Sequence, residues 1–308
     1  MKKEDKIFIA GKWKIVDEAI FSYLKLEGFR RVINVQALGI DLNSQSSVAS
    51  FFRRQRPDYV FLTGGRHGGI EANRNYPGEF IYDNLQIQLN VIHSAKEFKV
   101  KKLVFLASSC VYPRDCPQPM REEYLLDGKL EEISQWYAMA KLSGLKMCQA
   151  YNRQFKTNFI SAIPATIFGP GDEFNLKNSH VLPAILKKFH DAKIQGKKQI
   201  GIWGDGRARR EFIFVDDLAG ACVFLMRHYN GSNPVNIGYG SDLTIRELAL
   251  IIKEVVGYRG KIVFDRGKPG GVKQKLLDSG LIKELGWQSQ VNIEDGIRRT
   301  YEWYKNKV

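Results

Sequence analysis

Between residues 6 and 168 the chain alternates short apolar runs with amphipathic stretches of ten to twenty residues. "KIFIAG" leads into helical spacing from Val16 to Leu26. "RRVINV" is followed by "SSVASFFRRQ", and "DYVFLTGG" by a long helical pattern from Phe80 to Phe98. "KKLVFLASS" precedes a helix from about Trp136 to Phe155, and "FISAIPATIFGP" closes the series. Strands that alternate with helices of this length predict an α/β, Rossmann-like, doubly wound parallel sheet. Right-handed crossovers place the strand C-termini, and any ligand, along one edge.

After Gly169 the regularity loosens into "GPGDEFNLKNSH", a helix from about Val181 to Lys193, and further short elements. The pattern predicts a dinucleotide-binding domain over residues 1–168 and a smaller, mainly substrate-binding domain over 169–308. Residues 196–240 are expected to return in part to the sheet.

Composition narrows the class of function. No apolar run is long enough to span a bilayer, and the charged start "MKKEDK" lacks the layout of a signal peptide. The four cysteines show no C-x-x-C pair, so reduced thiols in a cytoplasmic protein are expected. The net charge of +14 points to an anionic partner. Its cations are scattered in short pairs such as Arg53-Arg54 and Lys187-Lys188, which suits a phosphate-bearing small molecule and not nucleic acid.

Chemistry-bearing residues gather at two places. Ser108, Ser109 and Cys110 close a predicted strand, and "YAMAK" sets Tyr137 and Lys141 one helical turn apart. A cation near a phenol stabilises the phenolate, so Tyr137 is expected to exchange a proton with a substrate oxygen near neutral pH, helped by a serine hydroxyl. Singly, each residue has a plainer reading: a helix face, a small buried thiol, an N-terminal polar residue. The strand-terminal serine together with Y-x-x-x-K is similar to the short-chain dehydrogenase/reductase superfamily.

"SSCVYP", "YAMAKLSGLKMCQAYNRQF", "NSHVLPAILKKFH", "REFIFVDDLA" and "TIRELA" with "VGYRGKIVFD" and "KP" together resemble the GDP-L-fucose synthase family, over nearly the whole chain. The resemblance implies epimerisation at C3 and C5 of GDP-4-keto-6-deoxy-D-mannose and reduction at C4 with NADPH. It implies Ser108, Tyr137 and Lys141 as the reduction triad and Cys110 with His180 as the epimerising acid/base pair. Lys188, Trp203 and Arg210 fall at positions that contact the nucleotide-sugar. Gly11, Lys12, Lys14, Lys141, Pro164 and Ile167 fall at positions that meet NADP(H). It also implies a homodimer joined by a four-helix bundle of the Phe80–Phe98 and Trp136–Phe155 helices.

The chain departs from that family where the cofactor would bind. The family's turn after the first strand reads roughly G-H-x-G-M-V-G, and here it is G-K-W-K-I-V-D, so Lys14 and Asp17 replace glycines. A carboxylate about 4 Å from a phosphate costs on the order of 4 kcal/mol at an effective dielectric of ~20, which predicts weakened cofactor binding. Val35 replaces an arginine for NADP's 2′-phosphate, "TGGRHGG" adds Arg66 and His67, Thr166 and Phe168 replace an Asn and a Tyr, and Gly270 replaces an aspartate. Three functions remain open: an epimerase/reductase, an epimerase without reductase activity, and a non-catalytic partner subunit.

Overall fold

The computed structural model describes residues 1–307 apart from Lys177 and residues 268–270. Gly270 therefore lies outside the described residues. The first half runs β1 (Ile7–Gly11), α1 (Lys14–Leu26), β2 (Val32–Asn34), α2 (Val35–Leu38), α3 (Gln45–Gln55), β3 (Tyr59–Gly64), α4 (Ile70–Asn75) and α5 (Pro77–Glu97). It continues through β4 (Lys102–Leu106), α6 (Gln135–Phe155), β5 (Phe159–Pro164) and β6 (Thr166–Phe168). The second half comprises α7 (Val181–Ile194), β7 (Gln199–Trp203), β8 (Arg209–Phe214), α8 (Val215–His228), β9 (Val235–Ile237) and β10 (Asp242–Thr244). It ends with α9 (Ile245–Val256), β11 (Lys261–Asp265), β12 (Gln274–Lys275), α10 (Gly280–Glu284) and α11 (Ile293–Lys305).

Six parallel strands in the order β2-β1-β3-β4-β5-β9 form the main sheet. The order reverses between β1 and β3, the switch point where an open α/β sheet leaves a crevice beyond its strand ends. β1 and β4 are buried along their whole length, as strands covered by helices on both faces must be. β9 reaches this sheet from the second half of the chain and pairs with β5.

A second apolar cluster holds α7, α9, α11 and the strands between them, centred on Phe189, Leu248, Ile252 and Ile297. α9 begins with a capping box between Thr244 and Glu247 and stops at Gly257, whose φ of 71° suits the left-handed cap. The strand β8 carries this unit's contacts to the site. It pairs with β6 on one side and with β10 and β12 on the other path.

No helix among the described residues is long and apolar enough to cross a membrane. The four cysteines are free thiols.

Candidate active site

β4 delivers its C-terminal end to the crevice, and the chain leaves it through Ala107 and Ser108 into a short 3-10 turn, Ser109–Val111. Ser108 caps that turn by accepting from the Cys110 backbone N–H at 3.3 Å. α6 packs against this turn and supplies Tyr137 and Lys141 from its first two turns, both buried. Tyr137 and Lys141 thus share one buried face of α6 beside the turn.

The electrostatics differ from the sequence expectation. Lys141 Nζ donates to the Leu106 carbonyl at 2.8 Å and lies 5.9 Å from the Tyr137 ring centroid. Burial pulls the Lys141 ammonium down to about 7. Burial also pushes the Tyr137 phenol well above its ordinary value; Cys110 adds to the rise, and only Ser108 opposes it. In the unliganded protein the phenol is therefore held as a donor. Burial, the largest cause, favours the neutral phenol.

Cys110 behaves in the opposite way. Burial pushes its thiol up, but Lys275, Ser108 and Ser134 more than offset this, and the net displacement is downward. Lys275 Nζ stands 3.5 Å from Cys110 Sγ. His180 is the N-cap of α7, and burial, then Lys275, hold its imidazole below the usual range. One ammonium thus acts on both members of the expected acid/base pair. Arg210 is drawn into the same neighbourhood because β12 runs beside β8, with Lys275 in register with Arg210. Its guanidinium donates to the Arg209 and Val272 carbonyls, and Cys110 lies within its electrostatic reach.

Lys188 and Trp203 form a second pairing. Lys188 Nζ sits 5.8 Å from the Trp203 ring centroid and donates to the Gly201 carbonyl at 3.1 Å. Pro164 ends β5, and Ile167 is buried in β6 opposite Ile213.

The rebuilt first turn also has a geometry that the sequence did not disclose. α1 begins at Lys14, two residues earlier than its apolar spacing indicates, with Trp13 as N-cap. Asp17 is fully buried and accepts from Thr63 Oγ1, beneath β1 and β3. Burial pushes its carboxyl up to about 7 despite that hydrogen bond. The expected repulsion between Asp17 and a phosphate is thus corrected: the side chain points into the protein and is half neutral near pH 7. The Thr63 hydroxyl receives it.

These residues fit a dinucleotide's pyrophosphate. At Gly11 a Cβ would overlap Thr63 Oγ1 and meet Asp17 Oδ1, so packing of the strand end against this buried pair requires the glycine. The N-terminus of α1 faces the edge with Lys12 and Lys14 exposed beside it, an arrangement that favours an anion. Lys14 pairs with Glu18 at 3.9 Å, an exposed pair of the kind that is worth little. Val35 is buried and offers no charge to a 2′-phosphate. Trp13 is stacked on His67 at 4.7 Å, where burial, then His180, lower the imidazole to about 4.

Comparison with known proteins decides the family. The model of the NAD dependent epimerase/dehydratase family matches residues 16–238. GDP-L-fucose synthase 1 of Arabidopsis thaliana is 49% identical over 306 residues, 99% of this chain and 95% of that protein. The chain belongs to the GDP-L-fucose synthase family. Within it, the GDP-L-fucose synthase of Escherichia coli K12 is 41% identical, covering 98% of this chain and 97% of its own length. A solved GDP-6-OMe-4-keto-L-xylo-heptose reductase from C. jejuni superposes with a TM-score of 0.95 at 36% identity, covering 100% of this chain and 99% of that one. A GDP-L-fucose synthetase from Naegleria fowleri bound to NADP gives 0.92 at 26% identity, covering 100% and 94%.

The reading of the sequence missed Lys275, Ser134 and the Trp13–His67 stack. Lys275 lies in a two-residue strand with no periodicity to announce it. The one available signal was its position a few residues past "KP", where the quoted resemblance ends.

Proposed function

We propose that this protein epimerises C3 and C5 and reduces C4 of a GDP-4-keto-6-deoxy-hexose. The observation that carries the reading is the convergence of Ser108, Cys110, Tyr137 and Lys141 on the end of β4, with Lys275 beside the thiol and within electrostatic reach of His180 as well. The names of the relatives, GDP-L-fucose synthases and GDP-sugar reductases, support the same substrate class.

In this proposal Tyr137 and Ser108 donate to the 4-keto oxygen, which acidifies the protons on the neighbouring carbons because the enolate spreads charge onto that oxygen. Cys110 takes a proton from one face and His180 returns one to the other. Lys188, Trp203 and Arg210 hold the GDP. Gly11, Lys12, Lys14, Lys141, Pro164 and Ile167 hold NADP(H), which supplies a hydride to C4 when bound. Lys141, buried in α6 with its ammonium 5.9 Å from the Tyr137 ring centroid, would help to hold that cofactor. A 1–168 cofactor unit and a 169–308 substrate unit, a homodimer and a cytoplasmic setting complete the proposal.

The test incubates a 4-keto-6-deoxy GDP-hexose with the protein in deuterated water, with and without NADPH. The expected result is deuterium at C3 and C5 in both samples, and stoichiometric NADPH oxidation in the second. Tyr137→Phe should lower both rates by about 10²–10⁴ while GDP binding by calorimetry changes little. Exchange without oxidation would assign the epimerase half alone. Neither exchange nor oxidation would leave a non-catalytic subunit.

A further inference from the structure

β12 is held from both sides. The Leu276 N–H donates to Gln118 Oε1 at 2.8 Å, the Met120 N–H to the Leu276 carbonyl at 2.7 Å, and the Leu277 N–H to the buried Glu211 carboxylate at 2.9 Å. Glu211 also accepts from the Gly240 N–H at 2.7 Å, which fixes it in turn. This clamp sets the Lys275 backbone against β8, and the side chain ends 3.5 Å from Cys110 Sγ. Two residues of strand would not be ordered by their own pairing; the clamp is what gives Lys275 a fixed place.

We propose that Lys275 is the positioning residue for epimerisation: its ammonium holds Cys110 as the thiolate beside the hydroxyls that grip the ketone. The proposal rests on the function given above. The groups that face Cys110 are Lys275 from β12, Arg210 from β8, Tyr137 from α6 and the hydroxyls of Ser108 and Ser134. Glu131 lies within reach of Lys275 too, but its carboxylate is engaged by the Ser134 N–H and hydroxyl at 2.8 Å each. Two cations therefore face the sulfur, while the nearby carboxylate is occupied.

The step balances without an external reagent. The thiolate takes the proton from C3 or C5, the C–H pair becomes the C=C bond, and the carbonyl pair moves to O4 as an enolate held by Tyr137 and Ser108. The His180 imidazolium then adds its proton to the opposite face, and the enolate collapses to the ketone. A thiol and a neutral imidazole remain, and exchange with solvent resets both. His180 is influenced by the same ammonium, which with burial makes its charged form a stronger acid.

Alkylation with iodoacetamide reads the thiolate without any substrate. Cys110 is partly exposed, whereas Cys116, Cys148 and Cys222 are buried, so peptide mapping by mass isolates its rate. In Lys275→Gln the pH midpoint of that rate should move up by at least one unit, about tenfold less thiolate at a given pH below it. Lys275→Arg should restore the wild-type midpoint. The same Gln variant should slow deuterium wash-in at C3 and C5 by about tenfold at neutral pH. An unmoved alkylation midpoint overturns the proposal, and if GDP-sugar binding weakens at the same time, Lys275 is a phosphate contact instead. A shifted midpoint in a wild type that exchanges no substrate proton upholds the thiolate's partner and sinks the epimerase reading.

Discussion

Asp17 carries the clearest pH consequence of any single residue in the rebuilt turn. Its carboxyl titrates near 7 in the folded protein and near 3.8 in an exposed chain, because burial disfavours the charge. Between those values the folded state binds the extra proton, so stability from this group is full below about pH 4 and is lost as pH rises toward 7. A displacement of this size corresponds to roughly 4 kcal/mol as an upper bound. Asp172 and Glu211 are raised into the same window, so the measurement is a difference between two proteins. Thermal midpoints of the wild type should fall relative to Asp17→Asn between pH 4 and pH 7. Parallel profiles would place the Asp17 carboxyl in water. The residue type at position 17 was legible in the sequence as a departure; its direction was not. A buried partner 46 residues away, Thr63, decides whether the carboxylate meets a phosphate or the core.

Elements were legible in proportion to their length. α5 and α6 each show several turns of apolar spacing, and the structure places them at Pro77–Glu97 and Gln135–Phe155, within a few residues of the expected ends. β12, α2 and the Ser109–Val111 turn are two to four residues long and leave no period to read. That is why Tyr137 and Lys141 could be placed from spacing while Lys275 could not. α6 itself approaches the sheet through Gly144. A Cβ there would stand 2.7 Å from both Phe105 Cζ and Gln88 Oε1, and Gln88 is already tied to the Ala140 carbonyl. Gly144→Ala must lift α6 from β4 or break that tie. Overpacking of this kind costs about 1–3 kcal/mol, partly offset by the better helix propensity of alanine. A lower thermal midpoint in Gly144→Ala is the expected result, and an unchanged or higher one would show that Gln88 moves aside freely.

At the scale of the molecule, α5 and α6 pack against each other and leave an outer face that the monomer does not cover. Tyr82 and Leu89 lie seven residues apart on α5, exposed by 63% and 46%. Trp136 and Met139 open the corresponding stripe of α6 at 45% and 48%. Large apolar side chains spaced along two neighbouring helices make a continuous patch, and patches of that kind mark interfaces. A second copy presenting the same two helices would form the four-helix bundle proposed above, with the two-fold self-complementary contact usual for homodimers. A stable interface of this type buries about 800 Å² per partner. Leu89→Glu with Met139→Glu would place two carboxylates of each subunit inside that contact, where each loses its water without a matched cation. Light scattering at micromolar concentration should give twice the monomer mass for the wild type and the monomer mass for the double variant. Met139 is exposed on the face of α6 turned away from the buried Tyr137 and Lys141, so the separated subunits should keep GDP-sugar binding. A wild type that scatters as a monomer, or a double variant that remains dimeric, would remove this face from the assembly.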